Sequence, residues 1–172
     1  MDLHTFLIEN HKGIAEHWVS AIFKTYPEEG AKFFSGSSNQ FANPVGHSFR
    51  SNVESMILTL AKGGDVADCA TALDGILRIR AVQGFRPSVA LCFLPALKEI
   101  VFREVSKHYP AESVDALLHD WNLSVDRLTM MGFDLYVDCR ELLWKQKANQ
   151  LYSRTHKLLE RANVLTDEEV AG

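Results

Sequence analysis

Histidine and cysteine are the side chains that could carry chemistry in this chain, and their spacing denies them most of it. His4, His11 and His17 lie seven and six residues apart on one helical stretch. That spacing does not give the i, i+4 pair that lets two imidazoles share a metal on one helix face. Cys69, Cys92 and Cys139 are 23 and 47 residues apart, which excludes CxxC, zinc-ribbon and haem-attachment spacings. They read as small apolar side chains rather than nucleophiles. No GxSxG, GxxxxGK[ST], GxGxxG, HExxH or EF-hand pattern occurs. The expectation is a protein with no catalytic residues and no metal site, not an enzyme.

Arg80 is the anomaly. At 100° per residue, with Leu73 as origin, Val66, Cys69, Leu77 and Gly84 gather within about 40° of the apolar direction and Arg80 falls at about −20°. Its side chain therefore points inward, whereas Arg78 falls at about 140°, on the solvent side near Asp74. A buried guanidinium needs a carboxylate, backbone carbonyls or a bound anion, because stranding it costs several kcal/mol. Two readings stand open: a structural ion pair or carbonyl clamp on the Gly84–Pro87 turn, and a pocket for an anion or polar ligand. Arg80, Gln83 and Glu54 form the candidate set. Glu104 is also inward on its own helix, but an antiparallel hairpin places it roughly 20 Å along from Arg80. Glu54, from the preceding helix, is the freer partner.

The elements that position these residues are helices. Period-2 alternation is absent over any useful length, and 3.6-residue patterning is nearly continuous between breakers, so the fold class is all-α. The first helical stretch covers 3–26 with Gly13 as a break, and Pro27 and Gly30 end it. A polar loop, 35–40, leads to Asn43 and Pro44, an N-cap followed by a first-turn proline, and a helix to residue 62. Asp65 and Asp68 open a helix over 66–83. Another runs over 88–108 with a kink at Pro95. From 113 to 163 one very long helix, or two collinear ones, is expected.

That last helix changes period. Its first half carries the broad stripe Leu117, Trp121, Val125, Leu128, Met131 and Leu135. Its second half repeats Trp144, Leu151, Leu158 and Leu165 every seven residues, with Ala148, Thr155 and Ala162 four positions after each, the narrow seam of a dimer or partner contact. Between Cys139 and Leu165 six basic residues stand against Glu141 and Glu160, a local net charge of +4. The chain thus divides into a helical domain over 1–140, a heptad-like extension over 141–165 and an acidic tail over 166–172.

Composition excludes other classes. With 172 residues, 47% apolar and 23% charged, the chain has enough apolar material for a core and is neither disordered nor fibrous. A net charge of −4 argues against a nucleic-acid binder. No signal peptide or membrane span is expected, and three sparse cysteines suit a reducing, cytoplasmic compartment.

The runs Phe41-Ala42-Asn43-Pro44-Val45-Gly46 and Arg78-Ile79-Arg80-Ala81-Val82-Gln83-Gly84-Phe85-Arg86-Pro87-Ser88, with Tyr26-Pro27 upstream and the long last helix, resemble the N-terminal domain of the RsbR/RsbRD family, stressosome co-antagonists of the kinase RsbT. The resemblance covers about 3–161. It implies a globin-like helical fold without haem, a sensory or protein-interaction role, a dimer, and a last helix that leads toward an output domain. The sequence ends after that helix, with no STAS output domain, so a stand-alone sensor or adaptor in signalling or stress response is expected. The rival is a receptor for a small ligand or haem near Arg80. The helix that would carry a proximal haem ligand, 66–83, has no histidine, which leaves His47, His108, His119 or Cys69; no cofactor is expected and haem is disfavoured.

Overall fold

The computed structural model describes residues 2–36 and 41–170, the side chains of 35 and 164–170 excepted. Every regular element among the described residues is helical, and a long helix ends the chain, as the patterning predicts. Helix α1, Leu3–Phe23, starts at an N-cap in which Asp2 accepts from the Thr5 amide at 2.9 Å. It runs straight through Gly13, against the expected break. Glycine costs a helix about 1 kcal/mol relative to alanine, and burying even one large apolar side chain outweighs that. Helix α1 buries eight residues, among them Phe6, Trp18 and Ile22.

Helix α2, Glu28–Gly36, occupies ground where the patterning predicts the end of the first helix followed by a loop. Pro27 marks a start rather than a stop: proline is favoured at helix beginnings, its carbonyl accepts from the Ala31 amide at 2.9 Å, and Glu28 and Glu29 suit the first turn. Helix α3, Pro44–Ala61, is capped by Asn43, which accepts from the Gly46 amide at 2.9 Å. The Asn43 side chain is buried and donates to the Phe34 carbonyl at 2.7 Å, so one residue caps α3 and ties it to α2. Asp65 caps a short 3-10 turn, Val66–Cys69, which feeds α4, Ala70–Val82.

The single kinked helix expected over 88–108 is two helices. Helix α5 is Pro87–Leu91 and α6 is Phe93–Val105, with the break at Cys92, three residues before Pro95. Pro95 has no N–H for the Leu91 carbonyl, so the defect surfaces one turn upstream of the ring. Helix α7 spans Ala111–Val170.

The chain divides into two compact units, Met1–Tyr136 and Val137–Gly172. In the first, α1 lies against α3 and α6, and α3 against α4. Within it, α7 buries Val114, Leu118, Trp121, Val125, Leu128 and Tyr136, while Leu117, Met131 and Leu135, read as core, are only half-buried. Gly132 lets α7 come close: a Cβ there would sit 2.6 Å from Leu94 Cδ1 and within 3.5 Å of Leu73 and Leu91. In the second unit every side chain from 144 to 163 is exposed.

Candidate functional site

Arg80 sits in the last turn of α4 with its side chain wholly buried. Its guanidinium reaches across to the end of α5, where Nε donates to the Ala90 carbonyl at 3.0 Å and Nη2 to the Val89 carbonyl at 2.8 Å. These carbonyls belong to the last turn of a helix, where intrahelical donors run out. Nη2 also donates to Thr25 Oγ1 at 2.8 Å, and Thr25 in turn donates to the Ile22 carbonyl at 2.6 Å near the end of α1. One side chain therefore joins the ends of α1, α4 and α5.

Aromatic faces complete the cage. The guanidinium carbon lies 4.4 Å from the Phe85 ring centroid, 5.4 Å from Tyr26 and 5.9 Å from Phe93. The Tyr26 hydroxyl donates to Gln83 Oε1 at 2.7 Å, which brings Gln83 to Arg80 through the phenol ring. Gly84, at φ +78°, turns the chain out of α4, and the Tyr136 hydroxyl donates to the carbonyl of Phe85 in that turn. On the far side of the α5–α6 break the Trp18 indole N–H donates to the Phe93 carbonyl at 2.6 Å.

No ion pair involves Arg80 among the described residues. Glu54 is not its partner: that carboxylate is part-exposed and faces His11 Nε2 at 3.4 Å. Burial pulls the Arg80 guanidinium below its ordinary basicity, opposed by Tyr26, yet an arginine stays protonated at any physiological pH. The same burial pushes the Tyr26 phenol up, with Arg80 working against it. The cage is thus a desolvated cation held by neutral dipoles and ring faces. Of the Arg80 guanidinium nitrogens, Nη1 is buried without a hydrogen-bond partner. Arg80 does not line the open grooves of about 430, 330 and 250 Å³ that border α1.

Sequence reasoning missed Thr25, Tyr26, Trp18 and the two carbonyls that Arg80 holds. It also missed the partner of Glu104, which is His17 at 3.6 Å together with Lys107 at 2.7 Å. These three line an open groove of about 430 Å³ between α1 and α6. Pro95 was the available signal for loose carbonyls near Leu91; nothing local points to Thr25, 55 residues from Arg80.

Other candidate groups stay apart. His47, His108 and His119 are exposed, so none of them enters the core. Cys69 is buried, and desolvation, then Asp68 and Asp65, push its thiol up to about 11, which leaves it a poor nucleophile or ligand at neutral pH. Among the described residues no cluster of three or more His, Cys, Asp or Glu could hold a metal, and no helix is long and apolar enough to cross a membrane.

On the second unit, Trp144, Leu151 and Leu158 are 62%, 67% and 64% exposed. Leu165, the fourth seam residue, and the acidic stretch that follows it lie outside the described side chains. Lys147 Nζ lies 5.4 Å from the Trp144 ring centroid. On the first unit α7 also exposes Leu123, Met130 and Phe133.

The profile of a family described as the RsbT co-antagonist protein rsbRD N-terminal domain matches residues 12–151. No curated protein and no solved structure matches the chain. With the match spanning most of its length, the chain belongs to the RsbRD N-terminal domain family.

Proposed function

We propose that this RsbRD N-terminal domain is a non-enzymatic signalling module of the cytoplasm, a sensor or adaptor that acts through protein contacts and pairs with a second copy of itself. The observation that carries the reading is that α7 exposes large apolar side chains in each of the two units. Contiguous exposed apolar residues mark interaction surfaces more often than accidents of the surface. We assign self-association to Leu123, Met130 and Phe133 on the first unit, and contact with a further protein to Trp144, Leu151 and Leu158 on the second. The Arg80 cage serves this as a brace, fixing the turn after α4 by which Tyr136 anchors α7.

Light scattering on the eluting chain tests the pairing. The wild type is expected at twice the chain mass at micromolar concentration and Met130→Asp at the chain mass. A wild type that runs as a monomer sinks the pairing.

A second reading has one observation in its favour, the buried Arg80 Nη1 without a hydrogen-bond partner. An anionic or polar small molecule that reached it would turn the brace into a sensor. Native mass spectrometry of freshly purified protein decides: bare polypeptide mass removes the ligand, and no absorbance near about 400 nm removes haem.

A further inference from the structure

The outer part of α7 has little of what normally sustains a helix. Helices in proteins draw most of their stability from packing an apolar face, and solvated ones lean on i, i+4 pairs. Here every side chain from 144 to 163 is exposed. Among the described residues of that segment a single i, i+4 ion pair occurs, His156 Nδ1 to Glu160 Oε1 at 3.3 Å.

The charge pattern says what the missing support is made of. With Trp144, Leu151 and Leu158 at heptad position d, positions a are the small residues Ala148, Thr155 and Ala162. Positions g are then Lys147, Arg154 and Arg161, and positions e are Lys145, Tyr152 and Leu159. Over residues 144–162 both edges of the seam lack a carboxylate, and among the described residues none of these four edge lysines and arginines next to the seam forms an ion pair. Charges at e and g select partners in coiled coils. A second copy aligned in parallel would set Lys147 against Tyr152 and Arg154 against Leu159. An antiparallel copy would set the basic row against itself. Within residues 144–162 neither arrangement makes one complementary pair, whereas a helix with acids along both edges satisfies the whole row. The small a residues let such a helix come close; a bilayer surface gains nothing from them, and the seam is narrower than the apolar face of an interfacial helix.

We propose that the outer half of α7 is the docking face for an acidic amphipathic helix of a different protein, its apolar seam against Trp144, Leu151 and Leu158 and its carboxylates against Lys147, Arg154 and Arg161. The proposal rests on the reading of α7 as a contact surface and adds the partner's chemistry. It leaves self-association to the first unit.

The full chain is titrated with a synthetic heptad peptide of matching length, leucine at d, alanine at a and glutamate at every e and g. The controls are the same peptide with lysine at e and g and a scrambled glutamate peptide. The glutamate peptide is expected to bind about tenfold more tightly than either control. Raising salt from about 0.05 to about 0.3 M is expected to shrink that margin. The triple variant Lys147→Glu, Arg154→Glu, Arg161→Glu is expected to invert the preference, and Leu151→Asp to weaken the glutamate peptide. Equal affinity for glutamate and scrambled peptides, or no inversion by the triple variant, overturns the proposal. So does tighter binding to phosphatidylcholine vesicles that contain phosphatidylserine. If Leu151→Asp dissociates a dimer that Met130→Asp leaves intact, the seam belongs to a second copy and the proposal fails while α7 stands as a contact surface. A monomeric wild type that still prefers the glutamate peptide removes the self-association alone.

Discussion

Arg80 and Arg154 carry the same charge in opposite circumstances. Arg80 is fully buried and surrounded by two helix-end carbonyls, a threonine hydroxyl and three ring faces. Arg154 is exposed on a stretch of helix, residues 144–162, whose seam edges carry no acid. Neither has a carboxylate partner among the described residues, but the consequences differ with the surroundings. In the core a lone cation must be solvated by the protein itself, so its neighbours are arranged around it and the site is closed. In water the charge is already solvated, so nothing local is built for it and it remains available to a partner. The first is architecture; the second is an interaction surface.

The strongest way to break that contrast is to remove Arg80. Arg80→Met keeps the apolar stem and deletes the donors to Ala90, Val89 and Thr25. Buried acceptors left without a donor cost roughly 1–3 kcal/mol each, so a loss of about 3 kcal/mol or more is expected in denaturant unfolding. Arg80→Lys keeps the charge but not the planar fork, and is expected to recover only a minor part. A lysine variant as stable as wild type would show that the charge matters and the geometry does not, and the cage would lose its role as a brace on three helix ends.

How much of this was legible beforehand follows from how local each feature is. The caps at Asn43 and Asp65 and the all-α class depend on a few neighbouring residues, and the structure has them where the patterning places them. Helix α2 was hidden because Pro27 and Gly30 were read as terminators, although the first of them begins a helix whose Phe34 packs on Tyr26 with ring centroids 4.8 Å apart. The inward direction of Arg80 follows from helical periodicity, but its acceptors do not. Thr25 is 55 residues away in sequence, and the Val89 and Ala90 carbonyls are released by a break at Cys92, one turn upstream of the Pro95 at which a kink is expected. Glu54 drew attention as the acid on a neighbouring helix; it faces His11 instead, and helix-end carbonyls supply the acceptors for Arg80. On α7 the heptad seam was visible from spacing alone, and only the exposures add that it is uncovered.

Tyr26 offers a gentler perturbation of the buried cation. Its phenol is raised above the ordinary 10.0 by burial, with Arg80 pulling the other way. In the folded chain the neutral phenol is favoured, so the native state holds this proton more tightly than the unfolded one. The contribution is complete below the unfolded value and is lost as pH rises through it toward the higher folded value. Tyr26→Phe removes the titration and the bond to Gln83, at a cost of about 1 kcal/mol near neutrality. The stability gap between wild type and Tyr26→Phe is therefore expected to narrow as pH passes 10, with the other tyrosines cancelling between the two proteins. A gap that widens over that range would mean that Arg80 stabilises the phenolate more than burial disfavours it.

The smallest expected effect sharpens the comparison most. Arg154→Ala deletes an arginine of the same size and charge as Arg80, from a position that is exposed and makes no ion pair among the described residues. Surface substitutions of this kind stay within about 0.5 kcal/mol, and alanine is the better helix former, so unfolding of the isolated chain is expected to be unchanged or slightly harder. Binding behaves differently. If Arg154 is reserved for an acidic helix, the same substitution weakens the glutamate peptide and reduces the salt dependence of its binding, because one charge fewer is neutralised on docking. Stability without loss and affinity with loss is the signature of a residue held for a partner. Loss of stability in the free chain would place Arg154 in the same class as Arg80.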